Sequence, residues 1–127
     1  MRTWFRVAFG LACLAVAVLS LLPVEQLPPG VFDWWDKAQH ALGFLVLAVL
    51  GLLGYPGMLG RVVLGLLGFG AAIEFAQAAT GWRYGDWQDW LADALGVAVA
   101  NAVWKVVRAV RPDSALMCDR PVCESNA

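Results

Sequence analysis

Four long apolar stretches, separated by short polar or proline-containing segments, constrain this chain more than any other feature of its sequence. They cover about residues 5–22, 38–53, 62–79 and 87–107. A helix needs about 20 mostly apolar residues to cross the hydrocarbon core of a bilayer. Because a helix satisfies its own backbone hydrogen bonds in lipid, the four stretches predict an all-α integral membrane bundle of four transmembrane helices.

The composition supports a membrane protein and argues against other classes. Of the 127 residues, 61% are hydrophobic and 15% are charged, whereas soluble domains are about 45–50% apolar and about 25% charged. A disordered chain has few hydrophobic and many charged residues, which is the opposite composition. The net charge of −1 gives no indication of a nucleic-acid partner.

The domain prediction follows from where the apolar pattern ends. We expect one membrane domain over residues 1–111 and a short polar cytoplasmic tail over residues 112–127. The tail contains Cys118 and Cys123, which we expect to be free thiols in a reducing compartment. The first apolar stretch is followed by no small-x-small cleavage site, so we expect a retained anchor rather than a signal peptide.

The basic residues predict the orientation of the helices. Seven of the nine fall at one end of the predicted bundle: Arg2, Arg6, Arg61, Lys105, Arg108, Arg111 and Arg120. Lys37 and Arg83 fall at the other end. Since loops rich in Lys and Arg stay in the cytoplasm, we expect both termini to be cytoplasmic.

Charged and polar side chains concentrate at the opposite, outer end of the predicted bundle. They open the second stretch, lie near the end of the third and open the fourth: Asp36, Lys37, His40, Glu74, Gln77, Arg83, Asp86, Asp89 and Asp93. A charged group inside a membrane costs roughly 2.5–3.5 kcal/mol on insertion scales and is by default a functional hypothesis. The sequence therefore predicts a polar site where three helix ends converge.

Each member also has a structural interpretation, and these alternatives stay open. His40 can be satisfied by a backbone carbonyl, and Lys37 can extend to the membrane surface. Glu74 can pair with the arginine of the following loop. Asp86 can cap the fourth helix, and Asp93 can act as a polar lock between helices. The common depth of these groups favours a joint role.

Three motifs in this region resemble the VanZ-like family. They are DKAQH at residues 36–40, EFAQ at residues 74–77 and RYGDWQDWLADALG at residues 83–96. The family pattern is similar: Asp-Lys-x-x-His, then Glu-x-x-Gln, then an Arg followed by an Asp and an Asn-x-x-Gly segment. The resemblance covers about residues 33–100. Asp93 stands where the family usually has Asn, which adds a negative charge.

The resemblance implies a small multi-pass protein of the bacterial inner membrane with a link to glycopeptide (teicoplanin) resistance. The resemblance implies no defined reaction, so we infer the role of each site residue from its side-chain chemistry. For an enzyme, we expect His40, Glu74, Asp89 and Asp93 to perform acid–base chemistry on a lipid or lipid-linked envelope precursor. We expect the substrate-binding residues to be Asp36, Lys37, Gln77 and Arg83, since Lys and Arg suit a phosphate group.

Several alternatives to this enzyme hypothesis remain. A covalent mechanism is disfavoured because the predicted site contains no Ser or Cys. A divalent metal held by His40 and the carboxylates is a variant, and oxygen-rich ligation favours Mg²⁺, Ca²⁺ or Mn²⁺ over Zn²⁺. The protein can also be a non-catalytic binder of an anionic lipid head group or antibiotic, a structural polar lock, or, less favoured, a transporter. The sequence specifies no cofactor and no oligomeric state.

Overall fold

A computed structural model describes residues 1–23, 35–82 and 85–110 of the chain. This part of the chain folds into four α-helices: α1 (Arg2–Leu21), α2 (Trp35–Gly54), α3 (Leu59–Thr80) and α4 (Trp87–Val110). Each is long and apolar enough to cross a membrane. The all-helical architecture with four membrane-length helices, predicted from the apolar stretches, is therefore confirmed.

Each helix extends beyond its predicted apolar stretch at one end or at both. Helix α1 begins at Arg2, three residues before the predicted start, and α4 continues to Val110 rather than to residue 107. Apolarity marks only the part of a helix that suits hydrocarbon, whereas backbone hydrogen bonding continues into the polar flanks. Arg108, in the last turn of α4, is favoured there because a cation stabilises the negative end of the helix dipole.

Helices α2 and α4 form the most extensive helix pair in the described bundle. They run side by side in the same direction, since the first turns of both helices meet at Lys37 and Asp89. Gly96 makes this close packing possible, because a Cβ atom at that position would collide with the backbone carbonyl oxygen of Ala41. Small residues at helix crossings serve this purpose in membranes.

The core lies along α2 and is completed by α3 and α4. Its most buried side chains are Phe44, Leu47, Ala48, Leu52, Leu66, Ile73 and Val97. On α3, the buried positions Leu66, Gly70, Ile73 and Gln77 recur every three or four residues. That spacing places them on one face of the helix.

Helix α1 lies at the periphery and is held by hydrogen bonds at both ends. None of its own residues is fully buried. At its carboxyl end, Gln77 Nε2 donates to the Ser20 carbonyl at 2.9 Å, and Trp82 Nε1 donates to the Leu21 carbonyl at 3.4 Å. These carbonyls belong to the last turn of α1, where helices lack internal donors. At the other end, Arg6 Nε donates to the carbonyl of Gly54 at 2.9 Å.

Gln77→Leu is expected to loosen α1 from α3. The substitution preserves most of the side-chain volume but removes the donor to Ser20, and such interhelical hydrogen bonds contribute on average about 0.6 kcal/mol, at most about 1.7. We expect a small but measurable decrease in the unfolding midpoint in mild detergent. The matched control is Gln39→Leu on the exposed face of α2. Equal midpoints for the two variants would contradict this role for Gln77.

Candidate functional site

The first turn of α2 meets the start of α4 through an ion-pair cluster. Lys37 Nζ lies 3.3 Å from Asp86 Oδ2 and 3.2 Å from Asp89 Oδ1. The side chain of Lys37 is 43% exposed, whereas that of Asp89 is 14% exposed. The ammonium group of Lys37 is therefore held by two carboxylates, one just before α4 and one in its first turn.

One turn deeper, His40 and Asp93 form a buried pair between the same two helices. His40 Nδ1 lies 3.0 Å from Asp93 Oδ1, and the two side chains are 8% and 0% exposed. The three-residue step from Lys37 to His40 on α2 matches the four-residue step from Asp89 to Asp93 on α4. Both steps keep side chains on one helix face. The carboxylate that the sequence offered as a polar lock thus contacts the imidazole directly.

Gly70 of α3 provides the space that the Asp93 carboxylate occupies. A Cβ atom at position 70 would lie 2.8 Å from Asp93 Oδ2 and 3.4 Å from the ring of Phe44. Asp93 Oδ2 is buried and has no hydrogen-bond partner. Gly70 was not among the residues predicted for the site. Its position four residues before Glu74, on the same face of α3, was the available signal.

Glu74 joins the site from α3 and also fixes the start of α4. Its Oε2 accepts a hydrogen bond from the backbone N–H of Asp86 at 2.7 Å, and its Oε1 is buried without a hydrogen-bond partner. The loop comes this close because residue 85 is glycine. A Cβ atom there would lie 2.6 Å from the Glu74 carbonyl oxygen.

The three helices bring three potential ligand atoms together at this end of the bundle. One side-chain atom each from His40, Glu74 and Asp89 lies within 4.8 Å of the other two. We call the group formed by these residues and their neighbours the outer cluster: Lys37, His40, Glu74, Asp86, Asp89 and Asp93. All four residues for which the sequence suggested acid–base roles lie in it.

The other predicted binding residues are placed differently. Gln77 is 2% exposed and bonds to α1, as described above, so its amide nitrogen is directed to the Ser20 carbonyl rather than to a substrate. The side chain of Asp36 and the whole of Arg83 lie outside the described residues. The suggested pairing of Glu74 with Arg83 therefore stays a prediction.

Asp86 caps α4, as one of the structural interpretations anticipated. Its Oδ1 accepts a hydrogen bond from the backbone N–H of Gln88 at 2.9 Å, the usual geometry of an aspartate that precedes a helix. This bond, together with the ammonium group of Lys37, holds the pKa of Asp86 below its ordinary value. The charged form of Asp86 therefore favours the folded state.

Asp86→Ala is expected to reduce the acid sensitivity of the fold. A carboxyl group whose pKa is lowered by folding stabilises the protein above its ordinary pKa, about 3.9. That contribution disappears as the pH falls through the lower folded-state pKa. The difference in unfolding midpoint between the wild type and Asp86→Ala should therefore shrink as the pH is lowered from 7 to 3. Asp86→Asn, which keeps a capping oxygen, is the control for the cap; a pH-independent difference for Asp86→Ala would contradict this assignment.

The arrangement suits proton transfer. It joins an imidazole, a buried carboxylate that orients it and two further carboxylates within reach of one another. Such groups can hold and move protons while Lys37 balances part of their charge. Comparison of the chain with protein-family models, with curated proteins and with solved structures finds no match.

Proposed function

We propose that this chain is a multi-pass protein of the bacterial inner membrane, related to the VanZ-like family, with both termini in the cytoplasm. In this proposal the outer cluster faces the outer leaflet and acts by acid–base chemistry on a lipid or lipid-linked substrate of the cell envelope. A role in glycopeptide resistance would follow from a changed envelope precursor. The helices support membrane insertion by their length and apolarity.

The pairing of His40 with Asp93 is the observation that carries the catalytic proposal. A carboxylate bonded to one ring nitrogen of a histidine fixes the ring orientation and tautomer and stabilises the imidazolium that forms on proton uptake. Here the carboxylate is fully buried and the ring is 8% exposed. His40 would therefore take a proton from, or give one to, a substrate group that enters from the exposed side.

Glu74 and Asp89 are the candidates for the second acid–base group, which would act together with His40. The Oε2 atom of Glu74 is held by a backbone N–H, which leaves Oε1 without a hydrogen-bond partner. A general acid and a general base need environments that separate their proton affinities. Glu74 lies within its helix and contacts loop backbone, whereas Asp89 pairs with Lys37 near the exposed end.

The exposure gradient supports entry of a head group from the outer end. Lys37 and Asp86 are 43% and 39% exposed, whereas His40 and Asp93 lie beneath them and are almost fully buried. A membrane-anchored substrate presents its polar group at such a boundary. Lys37 already contacts two carboxylates, so an anionic head group would have to compete with them for its ammonium group.

A structural polar lock is the second candidate function, and one observation favours it. The His40–Asp93 pair is buried at the crossing of α2 and α4, the most extensive helix pair. Removing one partner of a buried charged pair commonly costs about 3–5 kcal/mol of stability. The lock hypothesis therefore predicts that loss of function follows loss of folded protein.

A cellular comparison tests the proposed function. Bacteria producing the wild type, His40→Ala, Glu74→Gln or no protein are compared for lipids and lipid-linked precursors by mass spectrometry and for teicoplanin susceptibility. The amount of each variant in the membrane is quantified. We expect a wild-type-specific change that both variants lose while remaining in the membrane. Full retention by both variants would contradict acid–base chemistry, and disappearance of both proteins would favour the lock.

A further inference from the structure

We propose that the outer cluster binds a divalent cation, with His40, Glu74 and Asp89 as its protein ligands and Asp93 as the residue that positions His40. This inference goes beyond the proposed function, because it concerns binding of an ion and requires no substrate. While the ion is bound, the three side chains serve as ligands, so their acid–base role belongs to the ion-free protein. The ligand atoms come from three different helices, α2, α3 and α4. A bound ion would therefore also tie the outer ends of these helices together.

The spacing of the three ligand atoms fits a single ion. They lie within 4.8 Å of one another. Nitrogen and oxygen ligands bind first-row divalent metals at about 2.0–2.2 Å, so neighbouring ligands of a tetrahedral ion are about 3.3–3.6 Å apart. Ligand atoms at the 4.8 Å limit would therefore have to approach one another by about 1.2–1.5 Å on binding.

The charge of the outer cluster also favours a cation. Among the described residues, the cluster has four carboxylates and the ammonium group of Lys37. A metal-bound histidine is neutral. With all four carboxylates ionised, the outer cluster would then have four negative charges and one positive charge, a net charge of −3. Side-chain atoms of Glu74 and Asp89 lie within 4.8 Å of each other. A divalent ion would reduce the net charge to −1 and the repulsion between these two carboxylates.

The unpartnered carboxylate oxygens provide evidence that does not depend on the spacing. Glu74 Oε1 and Asp93 Oδ2 are both buried without a hydrogen-bond partner, although most buried polar atoms in proteins have one. Glu74 belongs to the ligand set. The Asp93 side chain, which is fully buried, touches that set through His40. A cation bound to Glu74 Oε1 would give this oxygen a partner. Its positive charge would also reduce the repulsion between Asp93 and the other carboxylates.

Asp93 contacts the proposed ligand His40 and is not itself a proposed ligand. Histidines that bind metals commonly donate their second ring N–H to a carboxylate, which fixes the tautomer and increases the basicity of the ligating nitrogen. His40 Nδ1 lies 3.0 Å from Asp93 Oδ1. Nε2 is then the nitrogen that would bind the ion.

The donor set indicates which cation to test. One imidazole and two carboxylates give a mixed nitrogen and oxygen site, whereas Mg²⁺ and Ca²⁺ prefer oxygen ligands alone. Mn²⁺ accepts carboxylates and imidazole, and its bound and free forms are distinguished by electron paramagnetic resonance. We therefore choose Mn²⁺ as the probe and Zn²⁺ as its competitor.

The full-length protein, purified in mild detergent and stripped with a chelator, is titrated with Mn²⁺ and followed by electron paramagnetic resonance. We expect one saturable Mn²⁺ site per chain, and we expect Zn²⁺ to displace the bound Mn²⁺. Glu74→Gln and Asp89→Asn should each weaken Mn²⁺ binding at least tenfold. Gln39→Ala is the matched control, because it changes an exposed side chain next to His40 that does not belong to the outer cluster. It should bind Mn²⁺ as tightly as the wild type.

Two results would overturn the metal proposal: no saturable Mn²⁺ binding by the folded wild type, or equal binding by the wild type, Glu74→Gln and Asp89→Asn. Asp89 is partly exposed, so its variant decides the matter if Glu74→Gln does not fold. At one fixed Mn²⁺ concentration, the unfolding midpoint should rise equally for the wild type and Gln39→Ala and less for Asp89→Asn. The outcome is separable from the proposed function, since ion binding is measured without any substrate.

Discussion

Gly96→Ala is expected to destabilise the bundle by about 3 kcal/mol or more, the upper end of what overpacking costs. The added methyl group would collide with the carbonyl oxygen of Ala41 and would also lie 2.9 Å from the backbone nitrogen of Leu45. Both obstacles are backbone atoms of α2, so no side chain can rotate away. Helices α2 and α4 would have to move apart where Gly96 crosses Ala41 and Leu45.

The matched control is Gly68→Ala in α3, where a Cβ atom would meet nothing within 4 Å. Both changes add one methyl group inside a helix, where alanine is intrinsically preferred over glycine. We expect Gly96→Ala to lower the unfolding midpoint strongly and to reduce the yield of folded protein, whereas Gly68→Ala should leave both unchanged or improved. Similar midpoints for the two variants would contradict the close contact between α2 and α4.

His40→Gln is expected to reduce activity on the envelope substrate by about 10²–10⁴-fold, the usual contribution of a general acid–base residue. Glutamine can still donate a hydrogen bond to Asp93 but takes up no proton near neutral pH. The pairing of α2 with α4 should therefore be retained while proton transfer is lost. Activity is measured as the change in envelope lipids, normalised to the amount of protein in the membrane.

This substitution separates the two candidate functions more sharply than His40→Ala, which also leaves Asp93 without its partner. If the pair is only a lock, His40→Gln should restore both stability and function relative to His40→Ala. Acid–base chemistry requires that stability is restored without function. Gln39→Ala, at the exposed neighbouring position, is the control for changes to this turn of α2 and should be fully active.

The fold was predictable to the level of helix number and approximate position. Long apolar stretches identify membrane-length helices because the bilayer requires them. Their ends were less well predicted, as at Arg2 and Val110, because polar residues also continue a helix beyond the apolar stretch. Which helices pack together depends on details such as Gly96, whose contact with Ala41 involves two positions far apart in the sequence.

The candidate site was predictable in its location but only partly in its contacts. The spacing of Asp86, Asp89 and Asp93 predicted that their side chains share one face. In the structure Asp86 caps α4, and all three side chains face Lys37 or His40. Spacing within one helix does not specify the partner on another. Gln77 illustrates this limit, because its hydrogen-bond acceptor lies on α1, a helix that contributed no residue to the predicted site.

The most direct test of the proposed acid–base function uses purified protein reconstituted into vesicles made from a total extract of bacterial envelope lipids. The wild type is compared by mass spectrometry with the double variant His40→Gln/Glu74→Gln, after equal size-exclusion profiles have shown that both are folded. We predict that at least one lipid or lipid-linked species changes in mass only with the wild type. Identical lipid profiles for the two folded proteins would contradict acid–base catalysis at the outer cluster.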